Sequence, residues 1–457
     1  MDREDGWWAR IRDRVDSVAE RSPARMVLIV FAGVIAIVAL LLSLPIATES
    51  GEAAPFVDAL FTATSAVSVT GLVTVETAAY WSTFGHLVIV FGIAIGGLGV
   101  MTLSSILALT ISKHIGLTQR MLTAGETKTE RLGEVGSLVR VVIVTSLVVV
   151  AALTAVLFPR FLTLGESLPN ALWYAFFMAE SIFNNAGFVI MPEGLEAHVG
   201  DWWLNLPIFF GTFVGAVGFP VLLNIQQRWR NPRRWTLHTK LTLSTYAVLA
   251  LGAAIAIPFF EWNNPATFGG LAPHEKVLQA IVHSVTSRSS GLAPLPVSEM
   301  NETTWLFQDA LMFVGGGSAS TAGGLKVTTL AVLVLAIIAE ARGDRDVEAF
   351  GRRIPYQTVR LAVAVAFLGA TLVGVSTLLL LHLTDYGLDR VLYETISAFA
   401  TCGLTTGITA ELPPEAKYVL VALMYAGRTG TITVAAALAV RSNKRMIRMP
   451  EERPSVG

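Results

Sequence analysis

Four short polar stretches, each built on a glycine, carry the chemistry this sequence offers. They read Ser68-Val69-Thr70-Gly71-Leu72, Asn184-Asn185-Ala186-Gly187-Phe188, Arg288-Ser289-Ser290-Gly291-Leu292 and Ala400-Thr401-Cys402-Gly403-Leu404. The glycines recur at intervals of about 110 residues, and each is followed by Leu or Phe. Ten residues before each glycine stands Phe61, Phe177, Ile281 or Tyr393; six before it stands Ser65, Ser181, Val285 or Ser397. One such glycine says little, because glycine is common at turns and in membrane helices. Four at one place in a repeat mark four like units. The chemistry lies in the backbone: glycine tolerates φ > 0, so successive carbonyls can be aimed to one side. Four such stretches around one axis stack peptide oxygens into rings that replace the hydration shell of a cation. The candidate cation ligands are therefore Val69, Thr70 and Gly71, then Asn185, Ala186 and Gly187, then Ser289, Ser290 and Gly291, and finally Thr401, Cys402 and Gly403.

Such a ring needs a membrane around it and helices to aim it. Of 457 residues, 53% are hydrophobic and 15% charged, and mean hydropathy is +0.61. A soluble domain carries about 25% charged residues, so the composition excludes a disordered chain, a nucleic-acid binder and a disulfide scaffold. Cys402 is the only cysteine. Eight apolar stretches approach the ~20 residues that cross a bilayer: 26–46, 84–112, 138–159, 205–225, 241–260, 305–339, 357–383 and 416–440. Four shorter ones, 55–67, 169–183, 273–286 and 389–400, lie between the members of each pair and end at the glycine stretches. The pattern predicts an all-α polytopic membrane protein of four span–pore helix–span units, eight spans and four re-entrant loops, set pseudo-fourfold around one pore. The units are 26–112, 138–225, 241–340 and 357–440, with tails 1–25 and 441–457. Short helices entering from outside would point the partial negative charge of their C-terminal ends at the pore centre, which also favours a cation. Lys and Arg set the orientation: 26 of the 33 lie in the two tails and the segments 113–140, 226–240 and 340–360. Both termini are thus read as cytoplasmic, with basic loops able to meet anionic lipid.

A second glycine-rich stretch interrupts the span 305–339: Gly315-Gly316-Gly317-Ser318-Ala319-Ser320-Thr321-Ala322-Gly323-Gly324, followed by Leu325-Lys326. Each glycine inside a helix costs about 1 kcal/mol relative to Ala, so the helix breaks here. Close helix packing spaces small residues four apart; clustering them suits a mobile gate below the filter. The stretch lacks Walker spacing and is not a phosphate loop. Arg428 lies mid-span, where charge is expensive and a functional role is the default reading. It is expected in the cavity under the filter, as a barrier or as a hydrogen-bonding hold on the gate; a buried ion pair is the plainer reading. Lys326 either belongs to the gate or snorkels to the interface. Arg288 would repel a permeant cation, so its head is expected to turn away toward Glu180 or Glu394, against a direct tuning role. Asp58 complements the positive end of its short helix. No two of the seven histidines stand at i, i+4, and no Ser–His–Asp set assembles.

These features resemble the KtrB/TrkH superfamily of potassium uptake proteins over about residues 26–445. Ile95-Gly96-Gly97-Leu98-Gly99-Val100-Met101-Thr102, the loop 315–326 and Tyr425-Ala426-Gly427-Arg428-Thr429-Gly430 are similar to family motifs. A single basic tail before the first span fits the KtrB branch, because TrkH-type chains carry two more N-terminal helices. Ala319 departs from the family, where a Gly is commoner, and so does Cys402. The resemblance implies a channel-like potassium transporter rather than an enzyme. It also implies a homodimer in the cytoplasmic membrane, regulated by a cytosolic nucleotide-binding RCK subunit of the KtrA or TrkA type. On this reading the chain itself binds no nucleotide, and sodium activation is left open. The alternatives are an alternating-access transporter coupled to sodium or protons, which four like-oriented repeats disfavour, and a membrane subunit without flux.

Overall fold

The computed structural model describes residues 23–99 and 135–430, and most of it is helix. The first quarter holds α1 (Pro23–Leu42), α2 (Phe56–Ser68) and α3 (Thr83–Gly97). The second holds α4 (Val135–Thr163), α5 (Leu168–Asn184), α6 (Trp202–Val217) and α7 (Phe219–Arg228). The third holds α8 (Leu237–Glu261), α9 (Pro273–Thr286), α10 (Glu302–Phe313) and α11 (Val327–Arg342). The fourth holds α12 (Tyr356–Leu383), α13 (Leu388–Ala400) and α14 (Pro414–Thr429).

Among the described residues, three helices are long and apolar enough to cross a membrane: Val141–Thr163, Leu237–Glu261 and Tyr356–Leu383. Their outer faces are apolar; Ile255 is 72% exposed and Phe367 75%. Apolar residues outside and buried Ser and Thr inside reverse the pattern of a water-soluble chain, and hydrocarbon is the solvent that accepts such a face. The expectation of one continuous span over 205–225 is corrected. The chain bends by 94° between α6 and α7, at Gly218, whose φ is +98° and whose next residues are Phe219-Pro220. The span 305–339 is broken, as its glycines require. The segments 100–112 and 431–440 of two other expected spans, residues 1–22, the tail 441–457 and most of 113–140 lie outside the described residues.

The packing repeats with one rule. Each short helix lies against the long helix before it: α2 on α1, α5 on α4, α9 on α8 and α13 on α12. The helix after it crosses to the next quarter's short helix: α3 to α5, α6 to α9, α10 to α13 and α14 back to α2. The four contacts close a circuit. Its seam between the last and first quarters is held by Lys417 Nζ, 3.2 Å from Asp58 Oδ1, and by the Tyr425 hydroxyl, which donates to the Leu28 carbonyl at 2.7 Å. Between α11 and α12 a two-stranded antiparallel hairpin, β1 (Val347–Ala349) and β2 (Arg352–Ile354), turns through Phe350 and Gly351, both with φ > 0. Sequence reading had left 340–360 as a basic loop.

Candidate functional site

The short helices bring the four glycine stretches to one place. Gly71, Gly187, Gly291 and Gly403 have φ of +92°, +75°, +63° and +93°. A Cβ on Gly71 would lie 2.6 Å from the Ala186 carbonyl oxygen, on Gly187 2.6 Å from that of Ser290, and on Gly291 2.7 Å from that of Cys402. On Gly403 it would run into the Thr70 carbonyl. Each glycine therefore faces the peptide before the next glycine, and the fourth faces the first. Two requirements coincide: the left-handed backbone and the closeness of a neighbouring peptide both exclude a side chain. Leu72, Phe188, Leu292 and Leu404, just past the ring, are buried in the surrounding clusters. Each anchors its strand end with roughly 1.5–3 kcal/mol of apolar burial.

The ends of the short helices give two of the three recurring serines, Ser65 and Ser397, a role for their hydroxyls. α2, α5 and α13 end on left-handed caps at Val69, Asn185 and Thr401. Behind these caps the amides of Thr70, Ala186 and Cys402 return to the carbonyls of Ser65, Ser181 and Ser397 at 2.8, 2.8 and 2.9 Å. The Ser65 hydroxyl accepts the Gly71 amide at 3.0 Å, and Ser397 accepts that of Gly403 at 3.1 Å. The third quarter departs from this scheme. Val285 has no hydroxyl to offer, α9 ends with Ser287 in the right-handed region, and Ser290 takes φ +114°.

Beneath the ring runs the loop from Gly315 to Gly324. The Gly317 amide donates to the Ala216 carbonyl at 2.8 Å, and the Phe219 amide to that of Ala319 at 3.2 Å. Thr321 is the most connected residue. Its amide donates to the Gly215 carbonyl at 3.2 Å, its hydroxyl accepts from Asn185 Nδ2 at 2.6 Å and lies 3.2 Å from the Phe183 carbonyl, and its carbonyl accepts Arg428 Nη1. Arg428 Nη2 donates to the Gly96 carbonyl, so one guanidinium ties the loop to the first and fourth quarters. Gly323 packs so closely on Ala400 and Thr401 that no Cβ fits. Lys326 Nζ folds back onto the Ala322 carbonyl at 2.8 Å, at the base of the loop. Ser318 and Ser320 also bond locally, Ser318 with Thr328 and Ser320 with the Ala322 carbonyl.

Arg288 corrects an expectation. Its side chain is buried, and among the described residues it pairs with no carboxylate. Its guanidinium carbon sits 3.4 Å from the centroid of the Tyr246 ring on α8. Its nitrogens make no well-formed hydrogen bond among the described residues, and the contact with Tyr246 is through the ring face. Glu394 is occupied otherwise, accepting from the hydroxyls of Thr405 and Thr409 at 2.6 and 2.7 Å and from the Thr406 amide at 2.8 Å. Glu180 accepts from Asn184 Nδ2 at 2.6 Å. The contact between Asn185 and Thr321 escaped sequence reading because the residues lie 136 positions apart. The neighbours of Gln308, described below, escaped it for the same reason.

Apolar helices long enough to cross a membrane, set around a closed ring of glycine backbones, define a membrane transporter in class. Residues 13–448 match the family model TrkH, described as a cation transport protein, and the chain belongs to that family. It is 36% identical to the Ktr system potassium uptake protein B of Bacillus subtilis (strain 168), covering 96% of this chain and 98% of that one. The Ktr system potassium uptake protein B of Vibrio alginolyticus is 34% identical, with 95% of each covered. The potassium/sodium uptake protein NtpJ of Enterococcus hirae is 33% identical over 98% of this chain and 99% of its own. The crystal structure of the potassium transporter TrkH from Vibrio parahaemolyticus shares the fold with TM-score 0.70 at 17% identity, over 92% of this chain and 85% of that one.

Proposed function

We propose that the chain takes up potassium ions through one pore lined by the four glycine stretches, with the loop 315–324 as its intramembrane gate. The observation that carries this reading is the closed ring of four glycines at positive φ, each against the next quarter's peptide. Peptide oxygens held this way by four separate helices can substitute for an ion's water shell. Full-length relatives named as potassium uptake proteins support the choice of ion. In the proposal the four units surround the pore with pseudo-fourfold symmetry, eight spans cross the cytoplasmic membrane, and both termini are cytoplasmic. The loop closes the pore from below while Arg428 and Asn185 hold it. Two such chains pair as a homodimer, and a cytosolic nucleotide-binding RCK subunit sets the gate; nucleotide acts on that subunit. The name of the Enterococcus relative, a potassium/sodium uptake protein, makes sodium the second ion to test.

The test is rubidium uptake into proteoliposomes holding the purified chain, with potassium or sodium as competitor. Uptake displaced by potassium and weakly by sodium, with sodium discrimination reduced by Gly403→Ser, supports the filter. A Gly403→Ser protein that folds, transports and discriminates as before removes it. Strict stoichiometric coupling to sodium would instead favour alternating access.

A further inference from the structure

The four stretches of the ring are not held alike. In the first and fourth, a serine on the short helix accepts the glycine amide of its own loop. The third has Val285 at that position, a right-handed end at Ser287 and a strained Ser290. Left to its own helix, it would be the least defined quarter. Its supports come from elsewhere. Gln308, fully buried on α10, donates through Nε2 to the Ser287 hydroxyl oxygen at 3.3 Å. Gln308 Oε1 accepts from the Tyr393 hydroxyl on α13 at 2.7 Å. The Thr212 hydroxyl on α6 donates to the Ser290 hydroxyl at 3.3 Å, and Cys402 Sγ lies 3.8 Å from the Thr286 carbonyl.

We propose that Gln308, bridging Ser287 and Tyr393, is a positioning residue that sets ion discrimination at the third quarter of the ring. This rests on the filter reading above. Gln308 does not line the ring; it acts through Ser287, at the point where the short helix hands over to the loop. A carboxamide suits the role because it donates on one side and accepts on the other, joining two quarters with one planar group. Both ends are buried, so an apolar replacement leaves a hydroxyl on each side without its partner. A buried hydroxyl left unpaired is costly, so its surroundings are under pressure to move. Ser287 is joined directly to the loop, so a change in its bonding passes to the peptides of Ser289 and Ser290.

The experiment compares Gln308→Leu, Ser287→Ala and Tyr393→Phe with Gly403→Ser in the rubidium competition assay, alongside thermal unfolding in detergent. The expected result is a loss of potassium-over-sodium discrimination of about threefold or more in Gln308→Leu and Ser287→Ala. A smaller loss is expected in Tyr393→Phe, and maximal uptake should hold within about twofold. A purely structural role would lower unfolding temperature and leave discrimination unchanged. If Gly403→Ser loses discrimination while the three folded variants keep the wild-type ratio, the filter stands and this inference falls. If Gly403→Ser also keeps it, the filter reading fails and takes this inference with it. Should Gln308→Leu fail to fold, Ser287→Ala and Tyr393→Phe decide the matter.

Discussion

Asn185 Nδ2 donates to Thr321 Oγ1 at 2.6 Å, so the residue that ends the second short helix also holds the loop beneath it. Asn185 stands two positions before Gly187, and Thr321 near the middle of the loop. No part of the loop can leave at Thr321 without freeing a buried amide inside the ring's own support.

Thr321→Val keeps the size of the side chain and removes the acceptor. A net hydrogen bond of about 1 kcal/mol shifts a two-state equilibrium roughly fivefold. The expected outcome is a several-fold rise in rubidium leak through proteoliposomes, with potassium preference retained. Asn185→Leu should raise leak as well but also disturb preference, because Asn185 belongs to the ring's support.

Arg428 binds two carbonyls from one planar fork, on Thr321 and Gly96. Lysine carries the charge on a single point and cannot span both. Charge-assisted bonds are worth about 1.5–3 kcal/mol each, so Arg428→Lys should raise leak more than Thr321→Val, by about tenfold or more. Deleting 317–322 should leave the pore open to the same degree. Rubidium efflux checks both, and a dead protein from the deletion would make the loop scaffold.

The seam between Lys417 and Asp58 closes the circuit of helices. Both side chains are shielded, 12% and 16% exposed. Removing one partner strands a charge beside the membrane, whereas removing both does not. Lys417→Met should lower the unfolding temperature in detergent, and Lys417→Met with Asp58→Leu should recover most of the loss. Equal temperatures for the two would show the pair contributes nothing.

The short helices were the most legible part of the sequence. Their apolar runs end at polar glycine stretches, and 273–286 coincides with α9 (Pro273–Thr286). Glycine also announced the broken helix and the positive φ values. Ala319 takes φ +53°, a conformation that glycine adopts at less cost. The bend at Gly218 was hidden by an unbroken apolar run, although Gly218-Phe219-Pro220 carried a breaker signal. The hairpin turn at Phe350 gave less warning, since a bulky residue rarely takes φ > 0. Long-range pairings left no local trace. For Arg288 the sequence offered carboxylates as partners, and only the fold brings Tyr246 beneath its guanidinium.

The measurement that bears most directly on the central claim is thallium anomalous scattering from crystals of the purified protein. The account predicts a peak inside the ring bounded by Thr70, Ala186, Ser290 and Cys402, weakened when potassium replaces thallium and little changed by sodium. A ring without a peak, with thallium bound elsewhere along the chain, would contradict it.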